Sequence, residues 1–237
     1  MLPTGGYLVR AASELAGLGP LGGDVTFLKS ELELSAITPL ALPRSLLSRH
    51  QRRLAPQPQP PLPSRTTLSA GLRLGLLCPL PFTRRAAGPS HLSDRFTLGG
   101  PTDVRGFKLG GIGPHDGPDS VGGDLFAAGS LNLLLPLPRT ADTSPLRLQL
   151  FAGAGRCVAL HHPGDPGTPA SPRAVATGLR TALDDLTTGL PSVAAGVGLV
   201  YAHPVARFEI NFGLPLAVRR GEEGRKGLQV GVGINFM

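Results

Sequence analysis

Tryptophan is absent from this 237-residue chain, tyrosine occurs twice and phenylalanine nine times. Only 16% of residues are charged, below the roughly one-quarter usual in soluble globular domains. The net charge of +7 comes from scattered arginines, among them Arg44, Arg73, Arg105, Arg147 and Arg207. No aromatic residues interleave with them, so the basic balance is not a nucleic-acid footprint, and no nucleic-acid partner is expected. The two cysteines, Cys78 and Cys157, have neither metal-ligand nor redox spacing and read as small apolar residues on strands. No stretch reaches the roughly 18 apolar residues of a membrane-crossing helix. The start, MLPTGGYLVR, lacks the basic segment and apolar core of a signal peptide. If the protein lives in a membrane, it crosses as strands.

Catalytic patterns are missing too. His161-His162 has no cysteine or acidic cluster to complete a metal site. The run GGIGPHDG at 110–117 lacks the Lys-Ser/Thr ending of a phosphate loop. There is no G-x-S-x-G serine and no paired carboxylate. Neither an enzyme nor a cofactor nor a metal is expected.

What the chain does have is glycine (33), proline (25) and 41% hydrophobic residues. Low charge and abundant branched aliphatics argue against disorder and for short strands joined by Gly/Pro turns. Period-two alternation supports this. Leu68, Ala70, Leu72, Leu74, Leu76 and Cys78 alternate with Ser69, Gly71, Arg73 and Gly75. Leu228, Val230, Val232, Ile234 and Phe236 alternate with Gln229, Gly231, Gly233 and Asn235. The second face is mostly Gly, Ser, Asn or a lone Arg, as in strands with lipid on one side and a wet lumen on the other. A soluble sandwich remains open on alternation alone. Eight strands are predicted, near 5–17, 24–38, 66–79, 121–135, 145–157, 190–202, 205–216 and 226–237. Reversals are expected at His203-Pro204 and at 219–225, the latter a solvated tip carrying Arg219, Arg220, Glu222 and Glu223. Residues 171–185 space Val175, Leu179, Leu183 and Leu186 for a short helix, read as a packing plug rather than a binding helix. Residues 39–65 form a Pro-rich insert, seven prolines between Pro39 and Ser64, expected as a disordered excursion between two strands.

One segment fits neither strand nor ordinary loop: Arg95-Phe96-Thr97-Leu98-Gly99-Gly100-Pro101-Thr102-Asp103-Val104-Arg105-Gly106-Phe107, continuing through Ile112-Gly113-Pro114 to Gly122-Gly123-Asp124. It resembles the signature of the BamA-type outer-membrane β-barrel insertase family (bacterial surface antigen domain). The F-x-L-G-G-P-T-x-V-R-G-F and I-G-P form is that of its mitochondrial branch, the core barrel of the sorting and assembly machinery. The last strand, Gln229-x-Gly231-x-x-Ile234-x-Phe236, resembles the mitochondrial β-signal. Glu14–Gly17 with Gly22–Val25, and Leu133–Pro138, extend the likeness along the rest of the chain apart from the insert.

The resemblance implies an all-β antiparallel transmembrane barrel, of which residues 1–237 supply about eight strands, the C-terminal half of some 16, with no POTRA domain. It implies residence in the mitochondrial outer membrane. Function would be insertion and assembly of β-barrel precursors through a lateral seam involving the last strand. Partners would be unfolded β-barrel precursors, the peripheral subunits of the sorting machinery and membrane lipid. A translocating channel of the same superfamily, or a truncated nonfunctional copy, are the alternatives. Residues 94–120 would fold into the lumen as a loop tethered by Val104, Arg105, Gly106 and Phe107 and supported by Gly99, Gly100, Ile112, Gly113 and Pro114. The glycines allow tight turns, and a buried Arg needs acceptors. The family's acidic or amide partner, in an F-x-[D/N]-x-G pattern, is replaced here by Gly153, leaving Asp124 or Glu209 as possible partners of Arg105. An open edge in lipid leaves backbone groups unsatisfied. So the chain is either part of a longer one or an eight-stranded barrel closed on itself.

Overall fold

The computed structural model describes residues 5–17, 26–40, 66–80, 90–137, 145–160, 172–202 and 206–234. The Pro-rich residues 41–65, His161-His162, the reversal at 203–205 and Phe236 lie outside them. The chain runs β1 (Gly6–Ala16), β2 (Phe27–Pro39), β3 (Thr67–Pro79), the two-residue strands β4 (His115–Asp116) and β5 (Asp119–Ser120), β6 (Leu125–Pro136) and β7 (Leu146–Val158). Helix α1 (Pro172–Thr188) follows, then β8 (Ser192–Ala202), β9 (Ala206–Ala217) and β10 (Gly227–Ile234). All eight expected strands are present. The β4–β5 hairpin, inside the long loop, was not anticipated.

The eight long strands form one antiparallel sheet in the order β1-β2-β3-β6-β7-β8-β9-β10. Apart from the loop between β3 and β6, every neighbour in the sheet is also the next long strand in the chain. Among the described residues β1 and β10 share no contact, so the eight strands do not close on themselves. Each leaves one edge free. Leu40 N–H donates to Thr66 O at 2.8 Å, so the strands on either side of the Pro-rich segment meet at its base.

The register explains the alternation. Leu228, Val230 and Val232 stand opposite Phe212, Ile210 and Phe208. Those pair with Val197, Leu199 and Tyr201, and these in turn with Leu150, Leu148 and Leu146. Leu150 then faces Leu133, which faces Leu68. The result is a continuous outward band. Phe208, Ile210 and Phe212 are 45%, 48% and 41% exposed, and Leu228, Val230 and Val232 more so. A soluble sandwich would bury this row; an apolar surface of such extent marks a lipid-facing wall.

The opposite face curves around the loop between β3 and β6. Phe96, Leu98, Val104, Phe107 and Ile112 of that loop pack on Phe27, Leu77, Phe126, Ala128, Cys157 and Ala194 of the wall, forming the main core. Glycines on the wall give the room. A Cβ at Gly75 would overlap the Phe126 ring, which itself packs edge-on against Phe96 with centroids 4.9 Å apart. A second cluster lies on the outer side: Leu76, Leu125, Val158 and Leu160 under Leu179, Ala182 and Leu186 of α1. The helix therefore covers the outside of the wall and is not a plug in the lumen. The outward parity of Leu76, Leu125 and Val158 dictates this.

Replacing Gly75 by Ala should destabilise the folded sheet by about 1–3 kcal/mol through overpacking against Phe126. A lowered urea midpoint of the barrel in detergent or lipid, with the same slope, is the expected result.

Candidate functional site

Two short pairings shape the loop at 90–124. Phe96 and Gly123 exchange both backbone hydrogen bonds at 2.9 Å, and Ile112 N–H donates to Leu98 O at 2.9 Å. Between Gly99 and Val104 the chain reverses tightly: Asp103 N–H donates to Gly100 O, and Gly99 N–H donates to the Asp103 carboxylate at 2.9 Å. Gly99 takes φ +111° and Gly100 +124° there, a region closed to most side chains.

This reversal carries Val104, Arg105, Gly106 and Phe107 onto the inner wall. Val104 and Phe107 are 2% and 0% exposed. Val104 sits over Gly153 and Gly155 of β7, where added Cβ atoms would approach its methyl groups to 3.4 and 3.1 Å. Gly153, where the resemblance implies an acidic or amide residue, is thus part of the seat for Val104.

Arg105 reaches two acceptors on different strands. Nη1 donates to Asn132 Oδ1 of β6 at 2.8 Å, and Nη2 pairs with Glu209 Oε2 of β9 at 3.0 Å. The guanidinium carbon also lies over the Phe151 ring, 5.0 Å from its centroid. Both charged side chains are largely buried, at 16% and 15% exposure. Burial draws the Arg105 pKa down, and Glu209 opposes that by its charge and hydrogen bond. The acceptors are themselves held. Asn132 Oδ1 also accepts from Gln149 Nε2 at 2.8 Å, while Asn211 Nδ2 donates to Glu209 Oε2 at 3.1 Å and Arg207 Nε lies 2.6 Å from Oε1.

Asp124, the other acidic residue considered for Arg105, is not its partner. Its carboxylate accepts from Leu160 N–H at 2.7 Å, and its backbone links β3 to β7. It sits at the first turn of the wall before β6, where it satisfies strand-end amides.

Next to the arginine, the last strand grips the loop backbone. Gln229 Oε1 accepts from Gly106 N–H at 3.1 Å, and Gln229 Nε2 donates to Phe107 O at 3.2 Å. Gly106, at φ +90°, lies so close to the wall that its Cα is 3.1 Å from an added Cβ at Gly213. Gly231, opposite Glu209 in the register, keeps the neighbouring inner position free of a side chain. Ile234 closes β10 at the far end of the strand from the loop.

The tip at 219–225 is not simply solvated. Arg225 N–H donates to Gly106 O at 2.8 Å, Glu223 N–H to Gly111 O at 2.8 Å, and Lys108 N–H to Glu223 O at 3.1 Å. Lys108 Nζ pairs with Glu223 at 2.9 Å, and the Glu222 carboxylate takes Gly113 N–H at 3.2 Å and the Ser192 hydroxyl. Gly113 must be small because Cβ of Cys157 lies within 2.9 Å of an added Cβ. Pro114 O accepts from Val121 N–H at 3.0 Å, setting the base of the β4–β5 hairpin. Arg219 and Arg220 remain exposed.

A further contact had no sequence signal beyond inner-face parity: Asp103 Oδ1 pairs with Arg73 Nη1 of β3 at 2.5 Å. The loop is thereby held from both sides of the concave wall, by β3 at Asp103 and by β6, β9 and β10 at Arg105–Phe107. Among the described residues no group of three or more His, Cys, Asp or Glu side chains could hold a metal ion.

Comparison with known proteins agrees with this geometry. The Omp85 superfamily domain matches residues 1–236. A SAM50-like protein of Schizosaccharomyces pombe is 41% identical over 237 residues, all of this chain and 42% of its own length. The bovine sorting and assembly machinery component 50 homolog is 33% identical over 241 residues, again all of this chain and 42% of that protein. The sorting assembly machinery 50 kDa subunit of Saccharomyces cerevisiae is 36% identical over 172 residues, 72% of this chain. Among solved structures, BamA from Haemophilus ducreyi lacking POTRA domains 1–3 superposes with a TM-score of 0.62 at 16% identity, covering 97% of this chain and 38% of that one. The chain thus spans less than half the length of these relatives. It belongs to the Omp85 superfamily and is a β-barrel protein of the mitochondrial outer membrane.

Proposed function

We propose that this chain supplies the C-terminal half of a barrel that inserts and assembles β-barrel precursors in the mitochondrial outer membrane. The observation that carries this reading is the treatment of β10. β1 and β10 are both edges of this half-barrel sheet; β10 is the one whose inner face, at Gln229, is clamped to Gly106 and Phe107 of the loop. An unpaired strand edge is a template for an incoming strand. A template works only in a fixed register, because a one-residue slip exchanges its lipid and lumen faces. The loop holds β10 in that register. The reaction is non-covalent: backbone hydrogen bonds offered at the seam replace those an unfolded strand cannot make in lipid.

In this reading Val104 and Phe107 are the apolar anchors, Arg105 the polar tether, and Gly99, Gly100, Ile112, Gly113 and Pro114 the frame that presents them. Gln229, Gly231 and Ile234 lie on β10, and with Phe236 they make up the motif that resembles the β-signal by which a barrel is itself recognised for insertion. The substrates are unfolded β-barrel precursors, with peripheral subunits of the sorting machinery and lipid as partners. The names of the relatives, sorting and assembly machinery components, support that assignment.

The direct test is disulfide trapping in isolated mitochondria. A cysteine at Leu228 or Val232 should cross-link to a cysteine in the last strand of an importing precursor. Absence of any adduct while the precursor still inserts would sink the seam reading. Two substitutions probe the tether. Arg105→Ala removes one of the two arginines at the Glu209 carboxylate, leaving Arg207 and Asn211 on it, and takes the guanidinium donor from Asn132, a loss of about 1–3 kcal/mol. It should open the loop to trypsin at Lys108 and slow precursor assembly, whereas Arg105→Lys restores charge but not the two-acceptor fork and should recover only in part. Gln229→Leu strands one buried N–H and one C=O, at about 1–3 kcal/mol each. It should reduce precursor cross-linking at β10 more than it reduces the amount of folded barrel in the membrane.

A further inference from the structure

Outward-facing positions on the eight long strands are apolar or small throughout, with one exception among the described residues. Arg156 of β7 shares the parity of Leu150, Ala152 and Ala154 and stands opposite Ala127 of β6. It is nevertheless only 6% exposed, because the end of α1 lies directly over it. A Cβ at Gly189, just past the helix, would overlap the guanidinium. Nε and Nη1 of Arg156 are buried without a hydrogen-bond partner, at the carbonyl end of α1, where the helix dipole favours a cation. The helix roofs the one charge on the lipid-facing wall.

The position of that charge sets the depth of α1. From Leu146 to Arg156 a strand rises about 34 Å. At the tilt of roughly 40° usual in such barrels this is about 25 Å along the membrane normal, the height of the apolar band. Arg156 thus marks the rim where hydrocarbon gives way to headgroups, and α1 packs across it.

The helix is asymmetric in a way that suits this site. Gly178 and Ala182 face the wall. Beyond them the apolar arc continues round one flank through Leu179 to Leu183, which is 43% exposed, and on to Leu190, 83% exposed in the segment leading to β8. The other flank carries Thr181 and Thr188, and the side away from the wall carries Arg173, Arg180 and Asp184, all exposed. A helix apolar on the wall side and one flank only, with arginines and Asp184 on the side away from the wall, has the amphipathic division of one lying in the plane of a membrane interface.

We propose that α1 is an interfacial helix seated on the bilayer surface beside the barrel. Its Leu183–Leu190 flank enters the acyl–headgroup boundary, and Arg173 and Arg180 meet lipid phosphates. The lipid-facing band and the helix then form one continuous membrane surface, and Arg156 is kept out of hydrocarbon. This inference is independent of the seam and of the loop tether.

Residues 1–237 contain no tryptophan, so each reporter, placed in the barrel that contains this chain, is read as the difference from its parent. Leu183→Trp and Thr181→Trp both replace exposed residues on α1, and Val197→Trp, in the middle of the outward band, calibrates the deep limit. Each variant is reconstituted in phosphatidylcholine vesicles containing anionic phospholipid. For Trp at 183, lipid brominated near the headgroup should quench about twofold or more over lipid brominated near the chain end. Emission should be blue-shifted and acrylamide quenching weak. At 181 acrylamide should dominate. Equal acrylamide quenching at both positions with no effect of brominated lipid would place α1 in water and overturn the proposal. Protection of Trp at 183 from both quenchers would do so as well, since a protein rather than lipid would then cover that flank. Raising salt should weaken the shallow quenching if the arginines contribute as stated.

Discussion

A guanidinium folded against the inside of a barrel is tolerated only where acceptors are already fixed around it, since an unpaired buried charge costs far more than a surface one. In this chain that requirement organises the concave face. Asn132 and Glu209 are three strands apart in the sheet, on β6 and β9, and both must be presented at once to a single side chain. Each is oriented by a neighbour, Gln149 and Asn211, which are 0% and 2% exposed. The inner polar row is therefore a network whose members orient one another. Its geometry holds only while β6 to β9 keep their register.

The same demand accounts for the composition of the inner face. Ordinary small barrels fill their interior with side chains from the wall. Here a loop does the filling, so the wall must recede wherever the loop approaches. Gly153 and Gly155 make room for Val104, Gly213 for Gly106, and Gly75 for the pair Phe96 and Phe126. Glycine in a strand weakens it locally, and the loss is offset by burying five large apolar residues of the loop that would otherwise face water. Loop and wall are thus one core, and the arginine sits at its polar boundary.

Much of this was legible in the sequence, for identifiable reasons. Strands announce themselves when their two faces differ, and β3, β9 and β10 alternate so strictly that their ends were placed within three residues. The V-R-G-F segment stood out because its glycine density fits neither strand nor surface loop. What escaped depended on register. Whether Asp124 or Glu209 met Arg105 cannot be read from spacing, because the answer depends on which inner positions of β6 and β9 fall at the same height. Asn132, Gln149 and Arg73 looked like unremarkable polar members of their rows. The acidic tip at Glu222 and Glu223 looked solvated because charge clusters in turns usually are, and only the fold brings Lys108, Gly111 and Gly113 against it. The helix was legible as amphipathic, but its pattern could not say which side of the wall it would cover.

The two free edges of the sheet are physically unlike, and the difference follows from the loop. Almost every residue of β1 is exposed on both faces, because the loop leans toward β3 and the last strands and leaves the inner side of β1 uncovered. On β10 only the outward row is exposed, while Gln229 is 6% exposed beneath the loop backbone. Any slip of β10 must break two amide contacts to Gly106 and Phe107 together with the adjacent Arg225 contact. The register of β10 is thus held by its eight-residue ladder with β9 and, beside it, by the Gly106–Phe107 backbone of the loop that Arg105 tethers. A strand so held keeps its register against β9 through contacts on its inner face as well as through its ladder.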